Sequence, residues 1–62
     1  MRLKDLIHVL NMNITFDLED RLTYKNIDYQ NLSRKEHDKV IERRIYMIFP
    51  TSRLNHLHIV LY

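Results

Sequence analysis

Residues 44–62 read RIYMIFPTSRLNHLHIVLY, and the two halves of this stretch decide the fold. In the first half Ile45, Met47 and Phe49 alternate with Tyr46 and Ile48. In the second, Leu57, Ile59 and Leu61 alternate with His58, Val60 and Tyr62. A period of two in segments rich in Ile, Val, Tyr and Phe is the mark of half-buried strands. Pro50 cannot donate to a ladder and stops the first strand, after which TSRLN turns the chain. Both sides of this pair are apolar, so the sheet needs two covers, and the rest of the chain has material for one. The second cover is expected to be another protein or a second copy of this chain. It would bind through Tyr46, Ile48, His58, Val60 and Tyr62, or along the C-terminal strand as a sheet edge.

Upstream, the two-residue period begins near Ile41, which sets the expected start of the third strand. Before it, Ser33-Arg-Lys-Glu36 matches a capping box and opens a short, highly charged helix from Arg34 to about Lys39. Tyr29, Leu32 and Val40 are its apolar anchors. Residues 13–27, NITFDLEDRLTYKNI, read as a hairpin: Ile14, Phe16 and Leu18 alternate with polar residues, an acidic turn follows at Glu19-Asp20, and Leu22 and Tyr24 resume the alternation. At the start, Leu3, Leu6, Ile7 and Leu10 fall at i, i+3, i+4 and i+7, which predicts an amphipathic helix from Arg2 to about Asn11. An asparagine of the Asn-Met-Asn run would cap it in the left-handed conformation. The order is α-β-β-(short α)-β-β, a single α+β domain over 1–62 in which helix 1 packs on one face of a four-stranded, mainly antiparallel sheet.

The composition narrows the function. Sixty-two residues make one domain, near the lower limit for a chain that folds without a disulfide or metal. An apolar fraction of 45% fits a globular domain. Cysteine is absent, so there is neither a staple nor a thiolate site. No secretory h-region and no apolar run near twenty residues occur, which points away from secretion and membrane spanning. Glycine and alanine are both missing, a bias like that of proteins from AT-rich genomes. Without glycine, positive-φ turns fall to Asn or Asp, and no glycine-rich loop can cradle a phosphate.

Ten basic and eight acidic residues leave a net charge of +2. The basic cluster Arg34, Lys35, Lys39, Arg43 and Arg44 could contact phosphate, with Tyr46 and Tyr62 stacking on bases. Glu36, Asp38 and Glu42 offset it at helical spacing, so ordinary solvation is the simpler reading. His56-x-His58 has the spacing of a metal-ligand pair on a strand, but further ligands are not evident, so no metal or other cofactor is assigned. The acidic group Asp17, Glu19 and Asp20 lacks the ligand number and central glycine of a calcium loop. Ser33 and Ser52 have no nucleophile context, and no catalytic constellation stands out. The chain reads as a non-enzyme.

The opening MRLKDLIHVL, a strand hairpin, a short charged helix and a closing pair of strands together resemble short accessory proteins of bacteriophages and mobile elements of low-GC Gram-positive bacteria. That resemblance implies a cytoplasmic protein of a bacterial host cell that binds and blocks host machinery, CRISPR nucleases and other antiphage systems included. A net charge of +2 does not suit the DNA-mimicking kind. The expectation is therefore a protein-binding module, acting as a homodimer, that inhibits a host or defence protein. The alternative is a small nucleic-acid-binding regulator using the basic and aromatic residues.

Overall fold

The computed structural model describes residues 1–62. Helix α1 spans Leu3–Val9, strand β1 Thr15–Asp20 and strand β2 Asn26–Ile27. A 3-10 turn at Tyr29–Asn31 leads into helix α2 at Arg34–Ile41, then strands β3 at Ile45–Pro50 and β4 at His56–Leu61. The sheet order is β2-β1-β4-β3. Two pairings are antiparallel, while the central one, β1 with β4, is parallel. The domain is thus α+β with a mainly antiparallel four-stranded sheet. No helix is long and apolar enough to cross a membrane.

Both helices lie on the same side of the sheet. Leu3 of α1 and Val40 of α2 close on Leu18, Ile59 and Leu61, with Leu6, Ile7, Phe16, Tyr29, Leu32, Ile45 and Leu57 packed around them. Strand β4 is the most deeply buried because it has a neighbour on each edge and helices above. It is therefore central, and the edge beside it is β3, which corrects the expectation that the C-terminal strand forms an edge.

Local chemistry explains most boundaries. Ser33 Oγ accepts from the Glu36 N–H at 3.2 Å and Glu36 answers the Ser33 N–H, so the capping box forms as the sequence predicts. The helix then continues to Ile41, and β3 begins at Ile45 rather than near Ile41. Val40 is drawn into the core on the helical period, which outweighs the two-residue pattern of Ile41, Arg43 and Ile45. Helix α1 is shorter than predicted and ends on an extended Leu10 (φ −72°), so no asparagine of the 11–13 run caps it in the left-handed conformation. Its start is fixed from outside. The Leu3 N–H donates to the Arg43 carbonyl and the Ile45 N–H to the Met1 carbonyl, both at 2.9 Å. Glu42 binds Lys4 at 2.7 Å and Arg2 at 3.0 Å, joining the end of α2 to the start of α1.

The first hairpin turns later than its sequence suggests. Glu19 and Asp20 belong to β1, and Arg21–Lys25 make the turn, so Leu22 and Tyr24 are loop residues rather than strand. Asp20 is the reason. Its Oδ1 accepts from the Leu22 N–H at 2.8 Å and the Thr23 N–H at 3.3 Å, an Asx-type closure of the loop. Its Oδ2 accepts from Arg43 Nη2 at 3.2 Å, while Arg43 Nε donates to the Tyr62 carbonyl at 2.6 Å. With glycine absent, two residues take positive φ: Asn55 (54°) in the β3–β4 turn, a natural host, and Tyr24 (59°), an unfavourable one.

Candidate functional site: the open sheet face

The side of the sheet away from the helices is uncovered, and two features build it. The first is a β-bulge. Ile45 pairs with Leu61, but Met47 pairs with Val60, Ile48 with Ile59 and Phe49 with His58. The extra residue, Tyr46, reverses the alternation. Ile45 therefore points into the core, whereas Tyr46, Met47 and Phe49 all project from the open face. Ile48 sits on the helix side, opposite to the side read from its sequence, and is 41% exposed because the helix layer does not reach it. Tyr46, Met47, Phe49 and Val60 share a shallow depression with Leu22, Tyr24, Glu19 and Arg21. Val60 forms its floor at 7% exposure, without any covering helix.

At the upper end of this strip, the Tyr46 and Tyr62 rings meet edge to face at 5.1 Å. The Arg21 guanidinium stacks 4.2 Å from the Tyr46 ring centre and 5.0 Å from that of Tyr62. Such cation–π contacts fix an arginine without neutralising it. The loop carrying Leu22 and Tyr24, each 80% exposed, stands beside this cluster.

The second feature is a ladder of polar side chains across the parallel β1–β4 pair, in which Thr15 faces His56, Asp17 faces His58 and Glu19 faces Val60. His58 uses both ring nitrogens, Nδ1 toward Asp17 Oδ1 and Nε2 toward Glu19 Oε1 at 3.2 Å. Carboxylates only accept, so both contacts are satisfied together when the ring is an imidazolium. Hydrogen bonding to Asp17 raises the His58 pKa above its usual 6.5, with desolvation opposing and Glu19 assisting. Desolvation pushes the Asp17 pKa upward, but hydrogen bonds from His56 and His58 outweigh it and hold the carboxyl below 3.8. His56 Nε2 lies 3.1 Å from Asp17 Oδ2 and its Nδ1 lies 2.6 Å from Thr15 Oγ1. The Phe49 ring lies 6.2 Å from His58, bringing the ladder up to the apolar strip.

These side chains bond to one another rather than converging on a common vacant point, and no group of three or more His, Asp or Glu is arranged to hold a metal ion. The sequence singled out His56 and His58 but did not join them to Asp17 and Glu19. A signal was present: Thr15-x-Asp17-x-Glu19 and His56-x-His58 are polar at alternate positions, with Phe16, Leu18 and Leu57 between them.

Of the residues expected to form the contact surface, Tyr46, His58, Val60 and Tyr62 come together on the open face, and Met47 and Phe49 join them where Ile48 was expected. The basic residues are dispersed. Arg34, Lys35 and Lys39 are exposed on α2 in the helix layer. Arg43 is engaged by Asp20 and the Tyr62 carbonyl. Arg44 pairs through its backbone with Arg2. The cation lying against Tyr46 and Tyr62 is Arg21. The β3 edge is guarded at both ends, by the Arg2–Arg44 bridge and the bulge at its start and by Pro50 at its finish. No protein-family model, curated protein or solved structure matches the chain.

Proposed function

We propose that this chain is a non-enzymatic protein-interaction module that pairs with a second copy of itself, open face to open face. The observation that carries the reading is the uncovered strip of Tyr46, Met47, Phe49 and Val60, on a sheet whose two helices both lie on the other side. Exposed apolar surface of this kind, rimmed by charge, is characteristic of contact sites. Tyr24 supports it. An aromatic side chain held at φ 59° and 80% exposed costs stability without adding to the core, and backbone strain collects where a surface is used.

Charge placement selects a second copy as the occupant. Along β1 the open face carries Asp17 toward one end and Arg21 just beyond the other. A two-fold axis lying across the strands at Glu19 brings Arg21 of each copy toward Asp17 of the other and sets the two Glu19 carboxylates near the axis, each held by its own His58, the residue-to-residue reciprocity of an isologous dimer. Six-residue strands give a face about 20 Å long, which offers a few hundred Å² per copy. That is below the ~800 Å² of a standard interface and falls in the size class of weak, transient contacts, so the dimer is reversible. The resemblance to short phage and mobile-element proteins supports a host or antiphage defence protein as the target of the assembled module, in the bacterial cytoplasm.

Sedimentation velocity across a concentration series tests the pairing. The weight-average mass should climb from that of the 7.7 kDa chain toward twice that value at high micromolar concentration. Met47→Glu should hold it at the monomer. A wild-type protein that stays monomeric throughout, or a variant that associates as well as wild type, would overturn the reading.

A further inference from the structure

Strand β1 is paired along its whole length on one edge only. Against β4 the register runs from Thr15 opposite His56 to Asp20 opposite Leu61. On the other edge β2 meets β1 at just two positions, Leu18 and Glu19, because the chain leaves the sheet at Asp28 and enters the 3-10 turn. Residues Thr15–Asp17 therefore have a strand on one side and a notch on the other.

The backbone groups facing that notch follow from the ladder. The Thr15 N–H donates to the Asn55 carbonyl and the Arg21 N–H to the Leu61 carbonyl, so odd-numbered residues of β1 hydrogen-bond toward β4. The Asp20 N–H donates to the Lys25 carbonyl, so even-numbered residues address the β2 side. By this alternation the N–H and C=O of Phe16 are directed into the notch, opposite no strand. The cavity there has a volume of about 370 Å³, within the range of ligand sites. Ile14, Phe16, Ile27 and Tyr29 supply its apolar lining, and Asp17 and Asp28 its only charges. Its wall is set in place. Tyr29 packs 5.3 Å from Phe16 and its hydroxyl is 2.9 Å from His37 Nε2.

We propose that this notch is a strand-addition site that receives an extended peptide segment of a partner protein carrying an apolar residue flanked by lysine or arginine. The unpaired Phe16 backbone supplies the hydrogen bonds of an added strand, and the lining takes the apolar side chain. Two carboxylates and no cation in the lining of a chain with net charge +2 select a basic segment rather than an acidic one. Asp17 is shared with His56 and His58, which leaves Asp28, bonded to Asn31 at 2.6 Å, as the principal contact for the incoming charge. Asp28, the principal contact, does not line the depression on the open face, so its variants test this site apart from face-to-face pairing.

The test uses the full ¹⁵N-labelled chain and a capped six-residue peptide of alternating valine and lysine, with its valine–glutamate counterpart as control. The lysine peptide should shift the Phe16 amide resonance and slow its hydrogen exchange at least tenfold at saturation, and the glutamate peptide should do neither. Asp28→Asn, which keeps an acceptor for Asn31, should weaken binding about threefold, and Asp28→Lys at least tenfold. Both variants should sediment as wild type does, which separates this result from the fate of the dimer. The proposal is overturned if Phe16 is unmoved at millimolar peptide or if both peptides bind equally. It is overturned too if the shifts fall on Met47 and Val60, or if raising the protein concentration alone protects Phe16, which would make a second copy the occupant.

Discussion

Replacing His58 with glutamine removes the central member of the ladder that ties β1 to β4. In the folded chain His58 gives one hydrogen bond to Asp17 and another to Glu19, and the raised pKa reflects both. A hydrogen bond to a charged group contributes about 1.5–3 kcal/mol where it is well enclosed. Here the His58 side chain is 26% exposed and that of Asp17 is 51%, so solvent screening brings the pair down to about 1–2 kcal/mol in total. For a domain of this size, 1 kcal/mol moves Tm by about 4–8 °C. The pH dependence gives the test its edge. Because the folded pKa of His58 lies above 6.5, its contribution is complete below 6.5 and fades as pH climbs through the folded value. The folded pKa of Asp17 lies below 3.8, so its contribution is complete above 3.8 and is lost as pH falls through the lowered value. The two are jointly present between 3.8 and 6.5. Thermal melts followed by circular dichroism should therefore show H58Q well below wild type at pH 5.5 and much closer to it at pH 9. A Tm gap that is the same at both pH values, or larger at pH 9, would refute the imidazolium assignment.

Further expectations follow from single side chains. Leu18 is fully buried between α1, α2 and β4, so Leu18→Ala should cost about 2–5 kcal/mol in urea unfolding, enough to leave much of so small a domain unfolded. Tyr24→Gly removes the strain of a positive φ at an exposed position and should raise stability by about 1 kcal/mol in the same assay, while weakening self-association. Ser33→Ala deletes the cap of α2 and should cost about 1 kcal/mol, with Ser33→Asp close to neutral.

Much of this architecture is legible in the sequence because it depends on local patterns. The Ser33–Glu36 box, the Leu3–Leu6–Ile7 stripe and the closing strands around Pro50 all announce themselves within a few residues. What escapes is non-local or arises from one exceptional residue. Alternation assigns a residue to a face but does not name the neighbouring strand, so the parallel β1–β4 pairing and the Asp17–His58 contact it creates stay hidden. The bulge at Tyr46 reverses the facing of everything up to Pro50, and an unbroken apolar run such as IYMIF gives no hint of where an extra residue will be accommodated. Asp20 shows a third limit. Its side chain closes the 21–25 loop and anchors Arg43, which pushes the turn past the Glu19-Asp20 pair where composition alone places it.

The three methionines provide a direct reading of the central claim, that the open face is where a second copy sits. Met47 lies within the apolar strip of that face, whereas Met12 is 98% exposed in the loop between α1 and β1. With ¹³C-methyl-labelled methionine, a dilution series from millimolar to low micromolar chain should move the Met47 methyl resonance along a binding curve and leave Met12 in place. A Met47 signal that does not change over that range, or one that moves no more than Met12, would contradict the account.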